Sequence, residues 1–527
     1  MEDSSKFKNE KIKDKFQIYS SLAFMVVVVI IGVPMWWKTT EVYRSTLPNN
    51  EIKYLNAKNI KIFLNVYVCS SDILRSTYLI EGIKSYFEHS DIFHINFVPL
   101  NVSTNDIKTP ASLENLLKTR FVKINIGDFL IMEWISQKED VLVTSERTAY
   151  ISKEASPKQL AKVLRHVLKV NDILNIINEK KSDRIHGSYV LNHQNVVISV
   201  INPNPNKIDV KWNVKEAVQL YLEPLLKYIN PISKFTLKTQ FKYQISLDLP
   251  LKHVKDESKT GRHYGLSEAD LPHIITSVEK NLGFITSDNP VINLVIYISP
   301  CETSPIYIYQ RHESINLSVK NSSVQSFISP KWGSVAIYNP PLAVCEKYEE
   351  NSQRTKFNVN SKDVMQSLLF QLQNYYEINL NPHIEGVKII ETQSLYPHEW
   401  QYDGYIRRIV VSEILTAIRT LQSLIQLLNN INYIVINDDV GVSINKAYEN
   451  VIKAKEFLIN GNLTKAAKYA HESYVFSERA FFDASLLAQL YFPDEQKYAI
   501  YIPLFLPIMV PVVTSSVMIF KWYTKGS

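Results

Sequence analysis

Two long runs of uncharged residues, one near each end of the 527-residue chain, constrain its fold more than any other feature. The first runs from Phe16 to Trp37 and the second from Tyr498 to Phe520, and lysines flank both. Runs of 22 and 23 uncharged residues are long enough to cross about 30 Å of hydrocarbon as helices. The sequence therefore predicts a membrane helix at each end, with residues 38–497 on one side of the membrane.

Each run has an alternative interpretation. At the N-terminus it is a cleaved secretory signal, but no small-residue cleavage site follows the run, which ends in WWKTTEVYR. At the C-terminus the alternatives are a buried core helix and a GPI-anchor signal. The anchor signal needs small residues upstream of the tail, where this chain has LAQLYFPDEQ. We therefore expect an uncleaved signal-anchor and a second span.

Charge and glycosylation motifs indicate the orientation of the two spans. The tail of residues 1–15 carries five lysines, which favours a cytosolic N-terminus. Four N-glycosylation sequons fall between the spans, at Asn101, Asn316, Asn321 and Asn462. These signals place residues 38–497 in a secretory-pathway lumen or outside the cell, with both termini in the cytosol.

The second run contains Pro503, Pro507 and Pro511, which lie four residues apart and therefore on one helix face. Each proline lacks a backbone donor, so the carbonyl one turn earlier loses its hydrogen bond. An unpaired carbonyl costs several kcal/mol in hydrocarbon. We expect helices of other membrane proteins to pack against this face. A helix that satisfies itself by local 3₁₀ or π adjustment is the alternative.

Residues 58–403 alternate strand-like runs, such as NIKIFLNVYV and NPVINLVIYIS, with amphipathic helical runs. That alternation predicts an α/β region with a mixed or largely parallel sheet covered by helices. Residues 405–492 are mostly helical, with one helix covering about Ile444 to Ile459. An apolar stripe in this region indicates internal core; it comprises Val411, Ile414, Ile418, Leu421, Ile425 and Leu428.

These patterns predict seven segments along the chain. They are a cytosolic tail (1–15), a first membrane helix (16–37), a first luminal α/β region (38–200), a second luminal α/β region (201–403), a luminal helical segment (404–497), a second membrane helix (498–520) and a cytosolic tail (521–527).

Three cysteines are too few for a disulfide-stapled scaffold. Cys301 and Cys345 follow strand-like runs in one region and are the candidate pair, with two buried thiols as the alternative. Cys69 ends a strand-like run, a place where nucleophiles occur, although a lone cysteine there is usually structural.

The chain shows little other sign of chemistry. It has no HExxH, CxxC, GxSxG or Walker A motif, and its net charge of +6 is scattered, so no nucleic-acid partner is expected. The stretch GRHYG (residues 261–265) favours a loop over a phosphate-binding cradle. Arg407 and Arg408 either pair with partner carboxylates or lie on a solvated surface. We expect no catalytic residue, cofactor or metal.

Two stretches carry a specific family resemblance. GVPMWWKTTEVYRSTLP joins the first predicted span to the lumen, and SERAFFDASLLAQLYFPDEQKYAIYIPLFLP enters the second. Both resemble the PIG-S family of GPI transamidase components, and SFISPKWGSVAIYNP and TLQSLIQLL add to the resemblance. The two-span plan agrees with that family, so the resemblance covers essentially the whole chain.

The resemblance implies a non-catalytic scaffold subunit of the GPI transamidase complex in the endoplasmic reticulum membrane. Its partners would be PIG-K, a caspase-like cysteine protease subunit, together with PIG-T, PIG-U and the GPAA subunit. Membrane lipid, with GPI as a candidate, would be a further partner, and precursor proteins would be indirect partners. Two other classes stay open: a membrane-anchored luminal hydrolase or transferase with an unrecognised α/β site, and a cell-surface adhesion or receptor protein.

Overall fold

The structure is a computed structural model of the chain. It describes residues 16, 18–40, 43–56, 59–70, 72–87, 91–101, 125–134, 140–178, 193–230, 233–255, 262–282, 289–309, 323–330, 332–351, 354–378, 385–390, 396–431, 434–486 and 494–525.

The strands of the described residues form two larger and two smaller sheets. In chain order they are β1 (Ile62–Ser70), β2 (Phe93–Asn101), β3 (Phe129–Glu133), β4 (Val141–Val143), β5 (Thr148–Ile151), β6 (His193–Asn202), β7 (Ile208–Lys211), β8 (Lys234–Tyr243), β9 (Lys252–Lys255), β10 (Arg262–Ser267), β11 (Val291–Ile298), β12 (Ile306–Tyr309), β13 (Val324–Ser329), β14 (Gly333–Tyr338), β15 (Thr355–Asn358) and β16 (Val387–Ile389).

The α-helices, likewise in chain order, are α1 (Val33–Thr40), α2 (Asn49–Lys53), α3 (Ile73–Lys84), α4 (Pro157–Val167), α5 (Val170–Asn178), α6 (Val214–Ala217), α7 (Glu223–Ile229), α8 (Leu271–Leu282), α9 (Leu342–Asn351), α10 (Ser361–Tyr375), α11 (Glu399–Asn430), α12 (Asp438–Ile459), α13 (Leu463–Phe481) and α14 (Asp494–Lys525). Two π-helical segments precede α1 and α7, at Val28–Gly32 and Val218–Leu222.

The first large sheet has the strand order β16-β4-β5-β3-β1-β2. Strands β2, β1, β3 and β5 run parallel, and β4 is antiparallel to β5. Strand β1 alternates fully buried with half-buried side chains, because α3 packs on one face of β1 and β2. Helix α4 begins with a capping box in which Ser156 and Gln159 satisfy each other's backbone N–H groups, followed by Pro157 at the first helical position.

The second large sheet has the order β13-β14-β11-β6-β8 and is parallel except for β13. Strands β6 and β11 are buried along nearly their whole length, as expected for the centre of a parallel sheet with both faces covered. Helix α10 packs on β13 and β14. The predicted mixed α/β fold with a helical C-terminal region is therefore confirmed.

A disulfide joins Cys301 to Cys345, with the two Cα atoms 5.5 Å apart. Cys301 lies in a 3₁₀ turn directly after β11, and Cys345 lies in α9. The bond therefore ties a central strand of the second sheet to a helix 44 residues further along the chain.

The chain divides into two compact units. One contains residues 1–55, 417–448 and 476–527, and the other contains residues 56–416 and 449–475. Each unit is built from separate stretches of chain, and α11, α12 and α13 contribute residues to both. The predicted division of the luminal region at residues 201 and 404 stays a prediction.

Asp403 fixes the N-terminal end of α11 to the first sheet, within the larger unit. Its carboxylate accepts hydrogen bonds from Nε and Nη2 of Arg147, at 2.5 and 2.9 Å, and from the backbone N–H of Gly127 at 3.0 Å. Arg147 also donates to Glu399 at 2.6 Å. Burial by itself lowers the pKa of Arg147, but the hydrogen bonds and charge of Asp403 outweigh it, so the pKa is raised and the ion pair persists.

The two arginines that follow have structural partners within the chain. Arg407 is buried and donates to the carbonyl oxygens of Gly127, at 3.0 Å, and Leu168, at 3.4 Å. Arg408 pairs with Glu377. Both expectations for these arginines, partner carboxylates or a solvated surface, are wrong for Arg407, because its guanidinium satisfies buried backbone oxygens.

The apolar stripe of α11 is buried throughout, which confirms that it is internal core; its members are Val411, Ile414, Ile418, Leu421, Ile425 and Leu428. Helix α12 begins at Asp438, six residues earlier than the predicted start at Ile444. Gly461, at φ +69°, ends that helix. Asn462 then caps α13, with its side-chain oxygen 3.1 Å from the N–H of Lys465.

Judged by length and composition alone, two helices among the described residues are long and apolar enough to cross a membrane. They are Ile18–Met35, in which no side chain of the window is buried, and Glu399–Asn430, in which 61% of the window is buried. The second is α11 and belongs to the core. The predicted second span, residues 498–520, lies inside α14, and the described side chains of α14 are exposed or half-buried.

We expect Asp403→Ala to lower the free energy of unfolding by about 2–3 kcal/mol, because it removes the main partner of the half-buried Arg147 guanidinium and the acceptor of the Gly127 N–H group. Glu399→Ala is the matched control, since its carboxylate contacts the same arginine but is 45% exposed, and it should cost less than about 1 kcal/mol. Denaturant unfolding of the purified chain measures both. Equal losses in the two variants would contradict the assigned role of Asp403.

Replacing both Cys301 and Cys345 by serine should destabilise the region of the second sheet by about 2–4 kcal/mol, because the disulfide closes a loop of 44 residues. Thermal unfolding with and without reductant measures the loss. The wild-type chain should become as labile as the variant once it is reduced, and a wild type unaffected by reductant would count against the bond.

Candidate functional site

The carboxyl ends of β1 and β3 form the place where a doubly wound α/β sheet commonly binds ligands. The chain leaves β1 to form β2 on one side and later returns to form β3 on the other side. Such a reversal of strand order opens a crevice at the carboxyl edge. Ser70 ends β1, and Glu133 ends β3 directly beside it.

Three polar side chains at this edge bind one another. The Ser70 hydroxyl donates to the Glu133 carboxylate, and Nε of Arg75 lies 3.7 Å from that carboxylate. Arg75 also donates to the backbone oxygens of Lys153, at 2.7 Å, and Ala155, at 3.1 Å. Ser70 and Glu133 are buried. The arrangement braces α3 against the sheet and leaves no accessible nucleophile in this trio.

Cys69, the one residue with a candidate nucleophilic position, lies on the opposite face of β1 in a small apolar cluster with Leu130, Met132 and Tyr150. Burial, and then the negative charge of Glu133, raise the pKa of the Cys69 thiol to about 11. A thiol is a nucleophile only as the thiolate. At neutral pH, Cys69 therefore behaves as a buried apolar side chain.

In the second sheet, an asparagine links the carboxyl ends of the neighbouring strands β11 and β14. The Asn339 amide exchanges two hydrogen bonds of 2.9 Å with the backbone of Ile306, and its oxygen also accepts from the Ser299 hydroxyl at 3.0 Å. The disulfide at Cys301 follows two residues later. These contacts make the edge a structural joint between β11, β12 and β14.

The stretch GRHYG was expected to be a loop, and that expectation is wrong. Residues from Arg262 to Gly265 lie in β10, and Gly261 lies outside the described residues. His263 is buried, and its Nε2 atom hydrogen-bonds the Tyr309 hydroxyl on the neighbouring strand β12. The glycine makes space for the same tyrosine ring, because a Cβ at Gly265 would overlap it.

Among the described residues, no group of three or more His, Cys, Asp and Glu side chains is placed to hold a metal ion. The expectations of no metal, no cofactor and no catalytic residue stay predictions.

The four sequons fall in different regions of the chain. Asn462 is exposed at the start of α13, where its side-chain oxygen forms the helix cap and its nitrogen is the atom that would carry a glycan. Asn101 is the last residue of β2, and its side chain lies outside the described residues, as do Asn316 and Asn321 entirely. Their occupancy stays a prediction.

The three prolines lie inside α14, which is α-helical throughout, and all three are exposed. Thr514 donates to the carbonyl oxygens of Val510 and Pro511, both at 3.0 Å, and Ser516 donates to that of Val512 at 2.8 Å. These hydroxyls bond carbonyl oxygens at the C-terminal end of the proline stretch, from Val510 to Val512. None of them bonds the carbonyl oxygens of Ala499, Pro503 or Pro507, which lose their helical donors because of the prolines.

Sequence reasoning missed the contact of Ser70, Glu133 and Arg75. Ser70 and Glu133 are 63 residues apart, and only the pairing of β1 with β3 brings them together. A polar residue at the end of each of two buried strands is the signal that would have indicated it.

Comparison with known proteins places this architecture in a family. The family model described as "Phosphatidylinositol-glycan biosynthesis class S protein" matches residues 23–526. Among curated relatives, the "GPI-anchor transamidase component PIGS" of Rattus norvegicus is 29% identical over 544 aligned residues, covering 95% of this chain and 94% of the relative. The Homo sapiens protein of the same name is 29% identical, with the same coverage.

A fungal relative is more distant. The "GPI transamidase component PIG-S homolog" of Schizosaccharomyces pombe is 22% identical, covering 95% of this chain and 84% of the relative. The family model thus spans both sheets, the helical region and both predicted membrane helices. The chain belongs to the PIG-S family.

Proposed function

We propose that this protein is a non-catalytic structural subunit of a GPI transamidase, which supports the attachment of GPI anchors to precursor proteins at the endoplasmic reticulum. The observation that carries the proposal is the match to the PIG-S family over residues 23–526, together with relatives that are named transamidase components. The match covers the residues of both large sheets, the helical region and α14, and most of the first predicted span.

The environment of the best chemical candidates supports a non-catalytic role. Cys69 is held as a protonated thiol, and Ser70 is buried against Glu133. Catalysis is assigned instead to a caspase-like cysteine protease subunit, PIG-K. The other partners are PIG-T, PIG-U and the GPAA subunit, with GPI lipid and precursor proteins contacted through the assembled complex.

The proposed topology has two membrane spans, residues 16–37 and 498–520, with both termini cytosolic and residues 38–497 in the lumen. It is supported by the lysine-rich tail, by the position of all four sequons between the spans and by the exposed side chains of both end helices. The Cys301–Cys345 disulfide agrees with an oxidising compartment.

The proline face of α14 is the proposed contact with the membrane helices of other subunits. The freed carbonyl oxygens of Ala499, Pro503 and Pro507 lie one turn before each proline. Hydrocarbon offers them no donor, whereas small or polar residues on a neighbouring helix do. The described hydroxyls of α14 bond other carbonyls, which supports donors on a neighbouring helix as the proposed partners.

Cys69→Ala should leave the transamidase activity of the purified complex unchanged. In the wild-type chain, the raised pKa keeps the thiol protonated, so at pH 8 it holds roughly two hundred times less thiolate than an ordinary thiol of pKa about 8.5. Alkylation by iodoacetamide should be slow at pH 8 and should accelerate as the pH approaches 11. Loss of activity in the alanine variant would favour the hydrolase or transferase alternative.

Replacing Pro503, Pro507 and Pro511 together by leucine should reduce co-purification of the other subunits. Leucine restores the backbone donors, so the helix satisfies its own carbonyls and gains less from a neighbouring helix. The matched control replaces three similarly exposed residues of the same helix, Met509, Val510 and Val513, by leucine. Full recovery of all subunits with the proline-free helix would contradict the proposed contact.

A further inference from the structure

The segment Tyr43–Leu55 follows the first end helix. It packs against the hairpin formed by the ends of α11 and α12 that lie in the smaller compact unit, and against the loop that joins these two helices. The backbone of this segment pairs with that loop: Ser45 N–H donates to the Ile436 carbonyl at 3.1 Å, and Ile436 N–H donates to the Tyr43 carbonyl at 3.0 Å. The two stretches therefore form a short parallel bridge.

Side chains of the same segment reach both ends of the loop. The Tyr43 hydroxyl donates to the Asp438 carboxylate at 2.7 Å, at the start of α12. The Arg44 guanidinium donates to the carbonyl of Ile431 at 2.6 Å, just after α11. Arg44 thereby satisfies a backbone oxygen that the end of α11 leaves without a helical partner.

The segment lies so close to α12 that a glycine is required there. A Cβ atom at Gly441 would collide with the Ser45 side chain. On the other helix, the Gln422 amide donates to the carbonyls of Leu55, at 2.8 Å, and Ile52, at 3.3 Å. The N-terminal segment thus contacts both helices of the hairpin along its length.

The chain just before the second end helix enters the same hydrophobic core. Ile52 comes from the N-terminal segment, and Ala480 and Leu486 come from the C-terminal segment. The hairpin contributes the rest of the buried core: Leu421, Leu424, Ile425, Leu428, Ile434, Ile436, Val440, Ile444 and Ala447. Thr420 on α11 also donates to Glu478 on α13 at 3.1 Å.

Short tethers connect this core to the two end helices. Helix α1 ends at Thr40, three residues before the docked Tyr43, which limits their Cα separation to about 11 Å. Leu486 precedes the start of α14 at Asp494 by eight residues, a reach of at most about 30 Å. Both end helices are therefore held close to one core, whatever path the connecting residues take.

We propose that this core is a clamp that holds the luminal ends of the two membrane helices together. The proposal rests on the two-span topology proposed above. Other subunits then meet a preassembled pair of helices whose described side chains are accessible to them. In agreement, no side chain of the Ile18–Met35 window is buried, and the described side chains of α14 from Ile502 to Phe520 are exposed or half-buried.

The clamp also accounts for the two stretches that carry the family resemblance. Residues 32–48 contain Tyr43, Arg44 and Ser45, and residues 477–507 contain Ala480 and Leu486. Each stretch thus joins a predicted span to the clamp. Their similarity to the PIG-S family fits a shared need to hold two membrane helices from the luminal side.

The test cuts the full-length chain, purified alone in detergent, at a protease site inserted between Asn56 and Asn59. After cutting, only non-covalent contacts hold the N-terminal fragment, and we expect it to stay with the affinity-tagged remainder. Ile52→Asp and Arg44→Met, which remove a core residue and a charged hydrogen bond, should each speed its release about tenfold or more. Tyr54→Ala is the control in the same segment, because Tyr54 is 79% exposed, and it should release no faster than wild type.

A second arm replaces residues 18–35 by leucines, which removes any specific contact made by the first membrane helix. The fragment should still be retained after cutting. Slow alkylation of Cys69, which belongs to the other unit, reports that each variant is folded. Release of the wild-type fragment, its loss after the leucine exchange, or equal retention in all point variants would each overturn the clamp. None of these results bears on the subunit role, because no other subunit is present.

Discussion

The carboxylate of Asp403 is the contact on which the larger unit depends most. It accepts three hydrogen bonds, two from Arg147 and one from the backbone of Gly127, and it lies in the first two turns of α11. A buried carboxylate without these partners would be strongly unfavourable, so the start of α11 is fixed on the first sheet. Arg407, one turn later, adds two backbone contacts in the same place.

The C-terminal part of α11 belongs to the smaller unit, where Leu421, Ile425 and Leu428 help to form the core that receives Ile52, Ala480 and Leu486. The polar contacts of α11 to the first sheet are made near its start, and its apolar residues are buried in both units. In its sequence, Asp403, Arg407 and Arg408 come first, and from Ile414 to Leu428 leucine or isoleucine recurs every three or four residues.

The two end helices differ in the backbone conformation around their prolines. In the first, a π-helical turn at Val28–Gly32 directly precedes Pro34, so a local change of winding accompanies the proline. In α14 three prolines occur in an uninterrupted α-helix, and the nearby hydroxyls bond other carbonyls. The second helix therefore has the greater need for donors from a neighbour, which is the physical basis for assigning the subunit contact to it.

Much of the architecture could be predicted from local pattern. The strand–helix alternation, the capping box at Ser156, the stop at Gly461 and the cap at Asn462 depend on neighbouring residues, so the sequence alone determined them. The sequence also indicated two apolar end segments and a family. Only the tertiary structure decided the partners of the buried charged groups: Arg407 bonds backbone oxygens, and Glu133 bonds Ser70. It also decided that residues 43–55 pack against the α11–α12 hairpin. Those partners are tens to hundreds of residues apart. A local sequence pattern does not predict such contacts, because they depend on how distant parts of the chain come together.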